Sequence, residues 1–188
     1  MIDVYVNGMD NEGRRRAAGG VAVTAGKNPV ASAHDFAQRV RDSFGRQGAM
    51  ALIGASMLDV RAGYCSLALV PRPETSQQHG YVHAGILAAL VDSAGGYAGY
   101  TLFPEDSSVL TVEFKLNLLA PAQGERIIAE GFVVKAGRTL TITRGDVHAE
   151  RNGVRTLVAI MQQTLMTMQG KADAAPGAAA QAASRGHP

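Results

Sequence analysis

The chain predicts an α+β fold in which long antiparallel strands pack on one buried helix. Three observations carry this expectation. From Ile86 to Gly99 every residue except Asp92 is apolar, small or aromatic, the pattern of a helix enclosed on all sides. Val112, Phe114, Leu116 and Leu118 alternate with Thr111, Glu113, Lys115 and Asn117, the period of two of a strand with one apolar face. Asn152-Gly153 then divides two long strand candidates with the dipeptide preferred in tight hairpins.

Taken in order, residues 1–31 are Gly-rich without sustained periodicity and read as a flexible extension. Arg14-Arg15-Arg16 precedes an apolar run that is too short and weak for a signal sequence. Ser32 suits an N-cap, with Asp35 in the first turn and Phe36, Val40 and Phe44 at helical spacing; this helix should stop near Gly45 or Gly48. Leu52–Val60 and Tyr64–Val70 are strand candidates joined at Ala62-Gly63, and Pro71-Arg72-Pro73 ends the second. A polar loop leads into the buried helix, which Phe103-Pro104 closes. The alternating strand ends at Pro121 and Gly124, and Arg126–Lys135, Thr139–Glu150 and Val154–Met168 follow, the first two linked by Ala136-Gly137-Arg138. Beyond Gln169 the composition falls to Ala, Gly, Pro and polar residues, so 32–168 is the expected domain and 169–188 a disordered tail.

With 188 residues, 46% hydrophobic and 18% charged, the chain suits one globular domain with a substantial core. A net charge of +2 gives no reason to expect nucleic acid, while a pI near 8.9 tolerates an anionic ligand. Cys65, the sole cysteine, excludes a disulfide framework and a multi-thiolate metal site and fits a cytoplasmic chain. Its apolar surroundings on a strand mark a buried, inert thiol. No stretch is apolar enough to span a bilayer. His79, His83 and His148 have no metal-ligand spacing, and no metal is expected. Phosphate loops of the Walker or dinucleotide type are absent, and Gly95-Gly96 lies inside the helix, where it permits close packing.

Asp92 is the only carboxylate between Glu74 and Glu105, on a helix where desolvation disfavours its charge. At the helix entrance, His83-Ala84-Gly85 places small residues where backbone N–H groups and the positive end of the dipole emerge, a place able to hold a developing oxyanion. Asp92 follows Ala84 by eight residues, about 12 Å along the axis. One site cannot easily use both from the same chain, which suggests a dimer whose amides face the partner's carboxylate.

The pattern Gln77-x-x-Gly80-x-x-His83-Ala84-Gly85, with Asp92 nine residues after the His, resembles the helix-entry signature of PaaI-like acyl-CoA thioesterases of the hotdog fold. Thr111–Lys115, Pro121–Gly124 and Val133 through Ala136-Gly137-Arg138-Thr139 resemble the family's later strands, so the likeness runs from about Ser32 to Met168. It implies a sheet curled round the helix, edges paired into a dimer or tetramer, and hydrolysis of acyl-CoA to a carboxylic acid and CoA. CoA is then part of the substrate, and no cofactor is called for. Asp92 would be general base or nucleophile, and the Ala84 N–H would meet the thioester oxygen. Ala84 replaces the family's usual Gly, and its methyl would crowd the acyl group. Gln77 would position substrate or water, His83 would fix the loop through its ring, and Thr111 would stand near the attacking water. Gly96 lacks the hydroxyl that some relatives carry one turn after the acid. Gly85, Lys115, Lys135 and Arg138 are the candidates for substrate and CoA binding. Two alternatives are an acyl-CoA-binding module without hydrolysis and a hotdog hydratase or dehydratase; the depth of Asp92 in the helix argues against the latter. The acyl group, aliphatic or aryl, is left open.

Overall fold

A computed structural model describes residues 33–171 and 173. Ser32, the side chain of Asp35, the proposed extension 1–31 and most of the proposed tail lie outside the described residues. Helix α1 (Ala33–Gly45) buries Phe36 and Val40 and sets Phe44 edge-on against Tyr97. Arg39 is half-buried on α1. It donates to the carbonyls of Tyr100, Phe103 and Pro104, satisfying groups that the end of the next long helix leaves open.

A second helix corrects the sequence expectation. Leu52 and Ile53 are not in a strand; they close the short helix α2 (Gly48–Ile53), and strand β1 begins only at Ser56 (Ser56–Arg61). Met50 and Ile53, three residues apart, are buried on one face while Leu52 is exposed, and Gly54 at φ 73° stops the helix. The hairpin to β2 (Tyr64–Leu69) turns at Gly63, φ 74°, as expected from Ala62-Gly63. A 3-10 turn at Pro73–Thr75 opens the polar loop.

Helix α3 (Ala84–Tyr100) is followed by β3 (Ser108–Leu118), β4 (Arg126–Ala136), β5 (Leu140–Arg151) and β6 (Val154–Met168). Asn152 and Gly153 both take positive φ in the β5–β6 turn, as a two-residue hairpin of that dipeptide requires. The six strands form one antiparallel sheet in the order β1-β2-β4-β5-β6-β3, and α3 packs across its inner face. Leu90, Val91 and Ala94 of the helix meet Leu67, Ile127, Val147 and Leu165 of the strands in the core. Each fully buried Leu, Ile or Val contributes about 1.5–3 kcal/mol relative to exposure. At Gly131 strand and helix meet backbone to backbone: a Cβ there would collide with the Ala94 carbonyl.

Strand β3 departs from its simple alternation. Its register with β6 pairs Thr111 with Leu165 and Glu113 with Thr164, skipping Val112. This bulge puts Thr111 on the inner face together with Phe114, Leu116 and Leu118, opposite the buried Leu165, Gln163, Met161 and Ala159. Thr111 is therefore not on the polar face that strict alternation assigns it. Being an edge strand, β3 leaves Phe114 and Leu118 about half exposed in the single chain (48% and 54%).

Candidate active site

The loop into α3 is fixed by its backbone. Gln77 N–H donates to the Tyr81 carbonyl and Gly80 N–H to the Gln77 carbonyl, a turn in which Gly80 adopts φ 82°. Val82 N–H donates to Ala122 and His83 N–H to Thr75, tying the loop to its flanks. His83 is the N-cap of α3: its Nδ1 accepts from the Gly85 N–H at 2.9 Å, which requires an unprotonated Nδ1, and its carbonyl receives Ile86 and Leu87. The Gly85 amide is thus occupied, whereas nothing among the described residues accepts from the Ala84 N–H. Ala84 lines a cavity of about 380 Å³ together with Gln77, Tyr81, Leu87, Leu118 and Leu119. Its lining is mostly apolar, with Gln77 and Tyr81 as the polar side chains and the helix-entrance residue Ala84 beside them.

Asp92 lies two turns further on. Between Leu90 and Tyr100 it alone is not buried, so the helix is sealed everywhere along this stretch except at the carboxylate. Its Oδ1 accepts from Thr111 Oγ1 at 2.9 Å and from Gln163 Nε2 at 2.5 Å. No described residue donates to Oδ2. Gln163 also donates to the Asp92 carbonyl at 3.1 Å, and its own Oε1 accepts from Thr143 Oγ1 at 2.8 Å. Burial raises the Asp92 pKa above its ordinary 3.8, and the hydrogen bonds from Thr111 and Gln163 offset part of that rise. Such a carboxylate can take a proton from water or attack a carbonyl through its unpartnered oxygen.

Within one chain the structure brings Gln77 and Ala84 together at the cavity, and Asp92 and Thr111 together at mid-helix, but does not join the two pairs. Gly85 and His83 are exposed beside the entrance and do not line the cavity. Lys115 points to the outer face of β3, opposite Gln162. Lys135 and Arg138 flank the β4–β5 turn, at the other end of β4 from the cavity wall at Ala122. In the single chain these three basic residues are therefore not cavity residues. Gly95 approaches the sheet as expected, since a Cβ there would collide with Gln163 Oε1, while Gly96 faces open space. Among the described residues no three His, Cys, Asp or Glu side chains gather as a metal-ligand set, and no helix is long and apolar enough to cross a membrane. Gln163 and Thr143 are the members of the site that sequence reasoning missed. The available signal was a glutamine sharing its strand face with Met161 and Leu165, a polar group pointed at the core.

Comparison with known proteins follows the same lines. Residues 79–156 match the family model described as the thioesterase superfamily. A thioesterase family protein from Silicibacter pomeroyi, known as a crystal structure, is 46% identical; the match covers 72% of this chain and 99% of that one, with a TM-score of 0.71. A Halobacterium salinarum protein provisionally named an esterase is 32% identical over 121 residues, 61% of this chain and 79% of its own. The Escherichia coli PaaI protein from the phenylacetic acid degradation operon, at 15% identity, shares the fold with a TM-score of 0.66 over 76% of this chain and 99% of its own.

Proposed function

This chain belongs to the thioesterase superfamily, a hotdog-fold thioester hydrolase, and from that premise we propose that it cleaves acyl-CoA to a free carboxylic acid and CoA. The observation that carries this reading is Asp92: an acid at the one unsealed point of the helix between Leu90 and Tyr100, with one oxygen tied by two donors and the other without a partner among the described residues. In the reaction water adds to the thioester carbonyl, the C–S bond breaks, and the sulfur leaves as CoA thiol with the proton taken from the water. Asp92 either carries that proton or attacks first to give a mixed anhydride that water then opens. The Ala84 N–H stabilises the oxyanion of the tetrahedral intermediate, a contribution typically worth ~10²–10³ in rate for one such donor.

The separation of Ala84 from Asp92 supports a site shared by two copies, with the cavity of one facing the carboxylate of the other. The bare β3 edge, with Phe114 and Leu118 half exposed beside the cavity wall, suits a second copy. The cavity of Tyr81, Leu87, Leu118 and Leu119 fits an apolar acyl group. The deciding experiment is free-thiol release from acetyl-, octanoyl-, palmitoyl-, phenylacetyl- and benzoyl-CoA by wild type and Asp92→Asn. Release by wild type that is lost in the variant supports hydrolysis through Asp92 and identifies the acyl class. Binding of acyl-CoA without release would replace this reading with a binding module.

A further inference from the structure

Gln163 is 2% exposed on β6, yet both ends of its amide are engaged, the nitrogen on Asp92. The Asp92 main-chain carbonyl and Oδ1 are both acceptors, so the Gln163 atom facing them at 3.1 and 2.5 Å must be the amide nitrogen. That orientation turns Oε1 toward Thr143 Oγ1, itself fully buried, which donates to it at 2.8 Å. Nε2 also lies 3.2 Å from Thr111 Oγ1, the second donor to the same carboxylate oxygen. The helix makes room for this arrangement by having no side chain at Gly95, where a Cβ would strike Gln163 Oε1 and lie 3.0 Å from Thr143 Oγ1. A glutamine in a core costs free energy unless its amide is fully satisfied, and here the nitrogen is satisfied through Asp92 and the oxygen through Thr143.

We propose that Gln163 is a positioning residue for the hydrolysis described above: with Thr143 as its anchor, it fixes Asp92 Oδ1 and leaves Oδ2 as the oxygen that meets water or the thioester carbonyl. The inference rests on the assignment of Asp92 as base or nucleophile. Gln163 touches no substrate in this scheme; it sets which lone pairs are available and favours the ionised form by donating to it.

The test uses the intact protein. Carboxyl-¹³C aspartate is titrated by NMR, with the Asp92 signal identified by its absence in Asp92→Asn, and kcat and KM are followed against pH on the best acyl-CoA. Gln163→Met keeps length and bulk but removes the donor. The expected result is an Asp92 titration displaced upward by roughly one pH unit, an acid limb of kcat displaced with it, and kcat lowered about tenfold or more while KM stays within about twofold. Thr143→Val frees the anchor and should shift the same two quantities in the same direction by less. Gly95→Ala, which displaces the amide without altering it, should do likewise, and these two variants decide the matter if Gln163→Met does not fold. Unchanged Asp92 titration in the folded variants overturns the inference. If Asp92→Asn itself turns over at the wild-type rate, the assignment of Asp92 fails instead, a result separate from anything the Gln163 titrations report.

Discussion

The two ends of the proposed chemistry are built from different materials. At the entrance of α3 the working group is a main-chain N–H, and the surrounding side chains serve to shape the turn: Gly80 supplies its left-handed conformation and His83 caps the neighbouring amide. Eight residues along the same helix, the working group is a carboxylate whose setting consists of side chains drawn from β3, β5 and β6. The first end should therefore tolerate substitution as long as the backbone keeps its path. The second should respond to the loss of single atoms.

The largest effect expected from this contrast is at Asp92. Asp92→Asn should lower kcat by ~10²–10⁴-fold. It should not lower stability at neutral pH. A carboxyl whose folded pKa is raised above its unfolded value binds its proton more tightly in the native state, so its ionisation removes stability as pH rises through the interval from 3.8 to the raised value. The Asn variant lacks that loss, and thermal melts should show it equal to or above wild type at pH 7, with the advantage absent below pH 3.8. A melt that instead drops at neutral pH would mean the carboxylate is a structural anchor. Next in size is Thr111→Val, which removes one of two donors to Oδ1; about a tenfold fall in kcat and an upward shift of the acid limb of kcat/KM are expected. For the wild type, that limb should already lie above pH 3.8, because the proposed reaction uses the ionised form and burial raises its pKa.

The entrance should respond less. His83→Ala removes the N-cap and should cost about 1 kcal/mol of stability, measurable by denaturant unfolding, while His83→Asn restores most of it. If His83 were a general base, both variants would lose turnover equally, and the equality would break the contrast. Smallest is Ala84→Gly. The N–H is retained, so kcat should stay within about twofold, with any gain confined to substrates branched near the carbonyl.

The same contrast explains what could be read from the residues alone. The all-round apolar run of α3 and its lone acid are visible because a buried helix has no polar face in which an acid could hide. The hairpin at Asn152-Gly153 is visible because few dipeptides reach positive φ twice. Val112 was misleading, since a bulge changes which residues share a face without changing the alternating composition, and Thr111 reached Asp92 only through it. Leu52 belonged to a helical turn too short for its period to be distinguished from a strand's. Gln163 went unnoticed because its partner lies 71 residues away, and β-strand registers across such a span are tertiary facts. The basic residues Lys115, Lys135 and Arg138 stand out by charge and nearness in sequence alone, and the sheet sends them to its outer face and far end.

Cys65 bears on how all of this is measured. It is fully enclosed beneath α3, and burial pushes its thiol up to about 12. Reagents that report released CoA react with thiolates, and the only sulfhydryl of this chain offers none at neutral pH. A chromogenic thiol assay on the native protein therefore starts from a flat baseline, and even a single turnover per active site is countable. The same reagent, slow while the chain is folded, becomes a clock for global opening once Cys65 is exposed.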